Sequence, residues 1–258
     1  AAWAWQTLRM KHRLFAAVAA LALTVPSTAQ QAPAPAVEIP SPGEIAAAAP
    51  AGDWVAIPAS DLLVMDLAPD AAGKPRRVVI QLMTAPFSQG WIGNIRKLAA
   101  AHWWDGTSVN RVQDNYVAQW GDATEKKPLP EGLAVVPEEQ YVTKAEHILV
   151  GTLPVVHVPD IRSIMRADAY ANGVGFAWGW PVAFRDDDRK RSKSDRKVEP
   201  QLGIQDVWPV HCYGMVGVGR NLHPDAGSGA ELYAVIGHAP RHLDQNIALV
   251  GRVISGIE

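Results

Sequence analysis

Cys212 is the one thiol in this 258-residue chain, and His211 directly precedes it. A thiol beside an imidazole could form an activated nucleophile. Successive residues on a strand face opposite sides, however, so the adjacent pair would not face itself. A single cysteine also excludes an internal disulfide framework and a thiolate zinc cluster. His102, His147, His157, His211, His223, His238 and His242 fall at no tight metal-ligand spacing. Histidines scattered in this way are ordinarily satisfied singly; ligation by His211 or His238 in an unrelated exported β-protein stays open as an alternative. Gly214 to Gly219 is glycine-rich, but it lacks the dinucleotide spacing and opens no helix. No GxxxxGK[ST] loop, GxSxG elbow or HExxH pair occurs, so phosphate-cradling, acyl-transfer and zinc-peptidase chemistries lose their usual signals. No metal or cofactor is expected. Arg111 offers a permanent charge and a rigid fork of donors. Taken alone, it could equally be a surface arginine paired with Asp114 or Asp122.

The elements that must position such residues are mostly short and β-prone. Leu62–Leu67 and Arg77–Leu82 flank a turn containing Pro and Gly and predict a hairpin. Trp91–Ala101 carries Ile92, Ile95, Leu98 and Ala99 at helical spacing, with Arg96 and Lys97 pointing away. Asp105-Gly106 marks a turn, and Val109–Gln119 alternates as one strand would. Cys212–Val218, Leu232–Gly237 and Ile247–Ile254 complete a mostly β pattern. Thr143–Val150 fits helix or strand. Arg185–Lys197 is charged and polar throughout and reads as a solvated loop.

Lys11, His12 and Arg13 precede an apolar run, Leu14–Val25, which Pro26 ends before the small residues Ser27-Thr28-Ala29. This is the layout of a secretory signal peptide over residues 10–29, with 1–9 as an upstream extension. The run is too short to span a bilayer comfortably. Cleavage after Ala29 would leave a mildly acidic protein that is exported, to the periplasm in a Gram-negative cell, without stable membrane association. Residues 30–52 are Ala/Pro-rich and read as a linker. A folded domain then runs over 53–258. The whole chain carries 24 Lys+Arg against 26 Asp+Glu, which gives no electrostatic reason to expect nucleic acid as a partner.

From Asn94 the chain runs N-I-R-K-L, then D-G-T at Asp105–Thr107, Arg111-Val112, and Gln119 with Gly121-Asp122. Gly229–Tyr233, His242-Leu243-Asp244 and Val250–Val253 follow in order. This set resembles the cyclophilin-type peptidyl-prolyl isomerases, whose motifs are N-F-x-x-L, Y-D-G-T, F-H-R-[VI], Q-G-G-D, S-Q-F-F, a segment ending L-D, and F-G-x-V. The likeness covers roughly 62–122 and 211–258 and is split by a central insertion at about 123–209. It implies a closed eight-stranded β-barrel capped by two helices; the insertion itself, less ordered in pattern, reads as irregular. It also implies a monomer acting on proline-containing polypeptides. Arg111 matches the family's catalytic arginine and Gln119 its glutamine. Tyr116, Val117, Glu231, Tyr233, His242 and Leu243 match its substrate pocket.

Such an enzyme needs neither nucleophile nor metal. Turning an X–Pro amide breaks resonance over a barrier of about 18–20 kcal/mol. An apolar slot for the ring and a cationic donor to the pyramidal nitrogen stabilise the twisted state. The chain departs from the family pattern at several places. Asn110 replaces a histidine, Val117 a methionine, Glu231 a glutamine and Ile247 a histidine. Gln245 stands for a turn glycine, and Arg241 is an extra residue. The expected function is therefore an isomerase assisting exported proteins. The alternative is a catalytically weak module that binds proline-containing segments through the same groove. Trp178-Gly179-Trp180-Pro181, inside the insertion, reads as a buried structural turn.

Overall fold

The computed structural model describes residues 39–145, 168–186 and 204–258. The signal-peptide and upstream-extension readings, and most of the charged Arg185–Lys197 run, lie outside them. The chain divides into two compact units, residues 1–54 and 55–258.

In the first unit, part of the Ala/Pro-rich segment forms a short helix, α1 (Pro42–Ala47). Ser41 caps it: its hydroxyl accepts from the Glu44 N–H at 3.3 Å, and Glu44 accepts from the Ser41 N–H at 2.7 Å. Pro42 stands at the first helical position, where a missing N–H costs nothing. None of its residues is buried.

The second unit is built on a seven-stranded antiparallel sheet. Its strands are β1 (Leu62–Leu67), β2 (Arg76–Leu82), β3 (Ser108–Gln113), β4 (Val117–Gly121), β9 (Met215–Val218), β10 (Leu232–Val235) and β11 (Leu249–Ser255). They lie in the order β1-β2-β11-β9-β10-β4-β3. β1 and β2 form the expected hairpin, pairing Leu62 with Gln81 through Leu67 with Arg76. Asp70 closes it by accepting from the Ala72 and Lys74 N–H groups at 2.9 and 2.8 Å.

The expected helix is present as α2 (Gln89–Ala100). Trp91, Ile92, Ile95 and Leu98 face the core with no exposed surface, and Arg96 and Lys97 are exposed, as their spacing predicts. The first three pack with Ile80, Leu82, Phe87, Trp120, Val216, Val218 and Leu232. Two polar groups fasten α2 to the loops that border the site. The Trp91 indole N–H donates to the Ala226 and Gly227 carbonyls at 3.1 and 3.0 Å. The buried Asn94 amide donates to the Ala134 and Ser228 carbonyls and accepts from the Ala134 N–H.

Three expectations change. The segment Val109–Gln119 is a hairpin rather than one strand, because Asn115 adopts the left-handed conformation (φ 53°) and turns the chain between β3 and β4. The sheet of described residues is open, with seven strands rather than eight and with β1 and β3 at its ends. β3 is exposed along all six residues and carries polar side chains and a bulge after Val109, features that suit an outer strand. In this unit α2 is the one α-helix that lies wholly among the described residues, where two capping helices were expected; Ala145 is also helical, and the other helical turns are 3-10.

The described part of the central insertion is also not irregular. It forms a four-stranded antiparallel sheet from β5 (Thr143–Lys144), β6 (Gly173–Ala177), β7 (Trp180–Asp186) and β8 (Ile204–Pro209), in the order β5-β8-β7-β6. Trp180, Val182, Phe184 and Val207 join the main core, while Ala183, Trp208 and Val210 form a second cluster with Val142 and Val174. That alternation is the period of a strand. Trp178 and Gly179 make the two-residue β6–β7 turn with φ 50° and 78°, the primed geometry that matches strand twist.

Candidate active site

The β3–β4 hairpin and β10 bring the sequence-selected residues onto one face. Arg111 on β3 pairs with Gln119 on β4, Gln119 pairs with Tyr233 on β10, and Tyr233 pairs with Gly217 on β9. Directly opposed residues in antiparallel strands share a face, so this register draws one row across the sheet. Val117 opposes Val235 two residues along the same strands and extends the face. The hairpin's turn is pinned from behind. The Asn115 side chain accepts from the His238 N–H at 3.0 Å, and Gly237 lies so close that a Cβ there would stand 2.1 Å from the Asn115 carbonyl carbon.

Arg111, Tyr116, Val117, Gln119, Glu231, Tyr233 and Leu243 line a single groove of about 750 Å³. His242 is not part of that lining. It stacks on Tyr116 with ring centroids 6.2 Å apart and planes 11° off parallel. The apolar floor consists of Val117 and Tyr233, with the fully buried Val235 in the same cluster and Tyr116, Leu243 and Ile247 packed against it. Ile247, noted in the sequence as a departure from the family pattern, is thus a wall of the slot.

Arg111 is exposed at the rim, and its guanidinium lies 5.8 Å from the Tyr116 ring centroid. One terminal nitrogen donates to the Gln113 side-chain oxygen at 2.6 Å. Gln113, two residues along the same outer strand, is therefore the residue that orients Arg111, and no motif in the sequence singles it out. Neither Asp114 nor Asp122 pairs with Arg111 among the described residues. Asp122 instead accepts from the backbone N–H groups of Lys127, Lys126 and Thr124. Those bonds, that of Lys127 foremost, hold its carboxyl down at about 2. Four of the five Arg111 donors are left for a ligand.

Glu231 enters the groove over two glycines. A Cβ on Gly121 would lie 1.9 Å from its carboxylate and one on Gly219 would lie 2.9 Å from its Cβ. Its Oε2 is buried without a hydrogen-bond partner among the described residues.

Beneath the floor lies a buried polar chain. The Tyr233 hydroxyl and His211 Nε2 are 2.8 Å apart, and His211 Nδ1 is 2.9 Å from Asp244 Oδ1, which also accepts from the His211 backbone N–H. An ionised carboxylate only accepts, so Nδ1 carries the proton and Nε2 accepts from the Tyr233 O–H. Both ring nitrogens are thereby occupied, which leaves none for a metal; no His, Cys, Asp and Glu cluster among the described residues could hold one. Burial pushes His211 below its ordinary value, outweighing the opposite pull of Asp244. Burial alone would raise Asp244, but hydrogen bonds from His211 and Arg241 turn its net direction downward. Burial drives the Tyr233 phenol well above its usual range. All three therefore keep one protonation state near neutral pH.

This fixes a sign for stability against pH. An unfolded histidine takes up a proton near pH 6.5, whereas folded His211 stays neutral. Below that pH the unfolded chain binds the extra proton, and stability falls; Asp244 continues the trend further into acid. The free energy from denaturant unfolding is expected to drop between about pH 7.5 and 5.5, by at most about 1.4 kcal/mol per pH unit for this proton. A flat profile would contradict a buried neutral imidazole.

Gly217 is a second position that sequence patterns passed over. A Cβ there would lie 2.3 Å from the Tyr233 Cζ and hydroxyl oxygen, so the ring occupies the space a side chain would take. Gly217→Ala should push the ring off the floor, cost about 1–3 kcal/mol and weaken peptide binding. Gly175→Ala, with nothing within 4 Å of the new atom, serves as the control. Equal stability of the two variants would show that Tyr233 does not rest on Gly217.

Residues 74–258 match the family model described as cyclophilin type peptidyl-prolyl cis-trans isomerase/CLD. No curated protein matches the chain significantly. A crystal structure of the cyclophilin AquaCyp293 from Hirschia baltica superposes with a TM-score of 0.53 at 24% identity, covering 76% of this chain and 65% of that one. This chain thus matches somewhat less than two thirds of the neighbour's length, and at that identity the likeness concerns the fold.

Proposed function

The chain belongs to the cyclophilin-type peptidyl-prolyl cis-trans isomerases, and from that membership we propose that its groove isomerises X–Pro bonds with Arg111 as the electrostatic catalyst. The observation that carries this reading is the row Arg111–Gln119–Tyr233, one donor-rich residue and one amide beside an apolar floor. The proline ring enters the slot between Val117, Tyr233 and Leu243, with Tyr116 and its stacked partner His242 at the edge. Binding the ring leaves the amide to rotate above it. As the bond twists, the prolyl nitrogen becomes pyramidal and gains a lone pair; the Arg111 fork donates to it and offsets the lost resonance. Gln113 keeps the guanidinium turned along the strand, and the Gln119 amide is placed to hold the substrate carbonyl. Glu231 gives the same groove a carboxylate for donors on the substrate backbone.

The clients we propose are proline-containing segments of exported proteins. Support comes from the basic stretch Lys11–Arg13 followed by the apolar run Leu14–Val25, which would direct the chain to the periplasm of a Gram-negative cell. A protease-coupled assay on short Xaa-Pro peptides tests the activity. Acceleration beyond the uncatalysed rate, saturating with peptide, is expected. Saturable binding without acceleration would replace the enzyme by a module that recognises proline-containing segments.

A further inference from the structure

Tyr233 differs from the phenylalanine of the matching motif by one hydroxyl, and that hydroxyl is completely committed to a chain of partners leading away from the groove. It meets His211 Nε2 at 2.8 Å; His211, with no exposed surface, meets Asp244 at 2.9 Å; and Asp244 accepts from Arg241 Nε at 2.5 Å. Arg241 in turn pairs with Asp168 at 2.7 Å and lies 5.6 Å from the centre of the Tyr170 ring. Asp168 and Tyr170 belong to the inserted segment just before β6, and Arg241 is the extra residue ahead of His242-Leu243.

We propose that His211 is a positioning residue for the groove: it anchors the Tyr233 hydroxyl beneath the floor so that only the ring faces the ligand, and the inserted segment holds this anchor through Asp168, Arg241 and Asp244. A buried phenol must find a partner. Without His211 the Tyr233 hydroxyl has two choices, to stay buried and unpaired or to swing out toward solvent. Because Tyr233 lines the groove, a hydroxyl that swings into it places a polar group where the proline ring should sit. The arrangement also links the insertion, which the matching motifs do not include, to the shape of the slot.

The inference rests on the isomerase reading only for its activity readout; peptide affinity and the Tyr233 hydroxyl proton report on it independently. In the full-length protein, His211→Leu is expected to weaken binding of a short Xaa-Pro peptide by about tenfold, the scale of one buried unpaired polar group. Where turnover is measured, the change should appear in KM more than in kcat. The Tyr233 hydroxyl proton, protected from solvent exchange in the wild type, should lose that protection. The decisive variant is the double substitution His211→Leu with Tyr233→Phe, which removes the orphaned hydroxyl and should recover most of the affinity. A merely structural histidine predicts no such recovery. Should His211→Leu fail to fold, Asp168→Asn loosens the same chain from its outer end. Alone it should lower affinity about two- to threefold, and combined with Tyr233→Phe it should have no effect. Unchanged affinity in His211→Leu, or a double variant no better than the single one, would overturn the proposal. So would an Asp168→Asn effect that is the same with and without the Tyr233→Phe change. Absence of turnover with these binding effects intact would sink the isomerase reading and leave the anchor standing.

Discussion

Arg111→Ala is expected to lower kcat/KM for X–Pro isomerisation by about 10²–10³, or roughly 3–4 kcal/mol of transition-state stabilisation, while leaving the protein folded. The two halves of this expectation rest on different observations. The size follows from the role: a preorganised charged donor that acts only on the twisted amide affects the transition state and not the ground state. Preserved folding follows from placement. Arg111 lies on an outer strand that is exposed throughout, makes no ion pair among the described residues, and bonds only the neighbouring Gln113 side chain. Surface changes of that kind ordinarily shift stability by no more than about 0.5 kcal/mol. Peptide affinity should change little, because the apolar floor remains. Arg111→Lys should recover only part of the rate, since a point charge cannot reproduce the guanidinium fork. A folded Arg111→Ala variant with wild-type turnover would require another residue to stabilise the twisted amide.

The second large effect concerns the scaffold. Trp91→Ala should destabilise the protein by about 3–5 kcal/mol and lower its melting temperature by about 10 °C. Trp91 has no exposed surface, stacks on Tyr141 at 5.4 Å, and its indole N–H serves two carbonyls, those of Ala226 and Gly227. Truncation leaves a cavity between α2 and the sheet and strips both carbonyls of their donor. Gly227 and Ser228 also border the groove. Peptide binding should therefore weaken even where the variant remains folded. Trp91→Phe, which keeps most of the volume but loses the donor, should cost distinctly less. Thermal unfolding of the two variants separates the packing loss from the hydrogen-bond loss.

How much of this was legible in the sequence depended on range. The helix at Gln89–Ala100 and the β1–β2 hairpin follow from local spacing, because a period of 3.6 or 2 determines which side chains share a face. The β3–β4 turn was carried by Asp114-Asn115, a turn signal hidden inside an alternation that continued past it. Strand β7 likewise announces itself as Trp180, Val182 and Phe184, yet the stretch from about 123 to 209 as a whole is less ordered in pattern and reads as an irregular insertion. Of the site, Arg111, Gln119, Tyr116, Val117, Glu231, Tyr233 and Leu243 were chosen by motif order, and the structure gathers them in one groove; His242 stands beside it.

His211 had no such signal. It lies 22 residues from Tyr233 and 33 from Asp244 in sequence, and its importance arises only when three chain segments meet. One clue did exist: a tyrosine in place of a pocket phenylalanine brings a hydroxyl that must be satisfied when buried. Gln113 was equally silent, since its bond to Arg111 depends on where the outer strand bends.

The most direct test of the central claim is a two-dimensional exchange NMR spectrum of a short Xaa-Pro peptide with a catalytic amount of the full chain. The peptide alone interconverts over tens to hundreds of seconds, too slowly to give cross-peaks at sub-second mixing. With the protein present, cross-peaks between the cis and trans forms are expected, together with amide shifts at Val117, Gln119 and Tyr233. A spectrum without cross-peaks at saturating peptide would contradict an isomerase site in this groove.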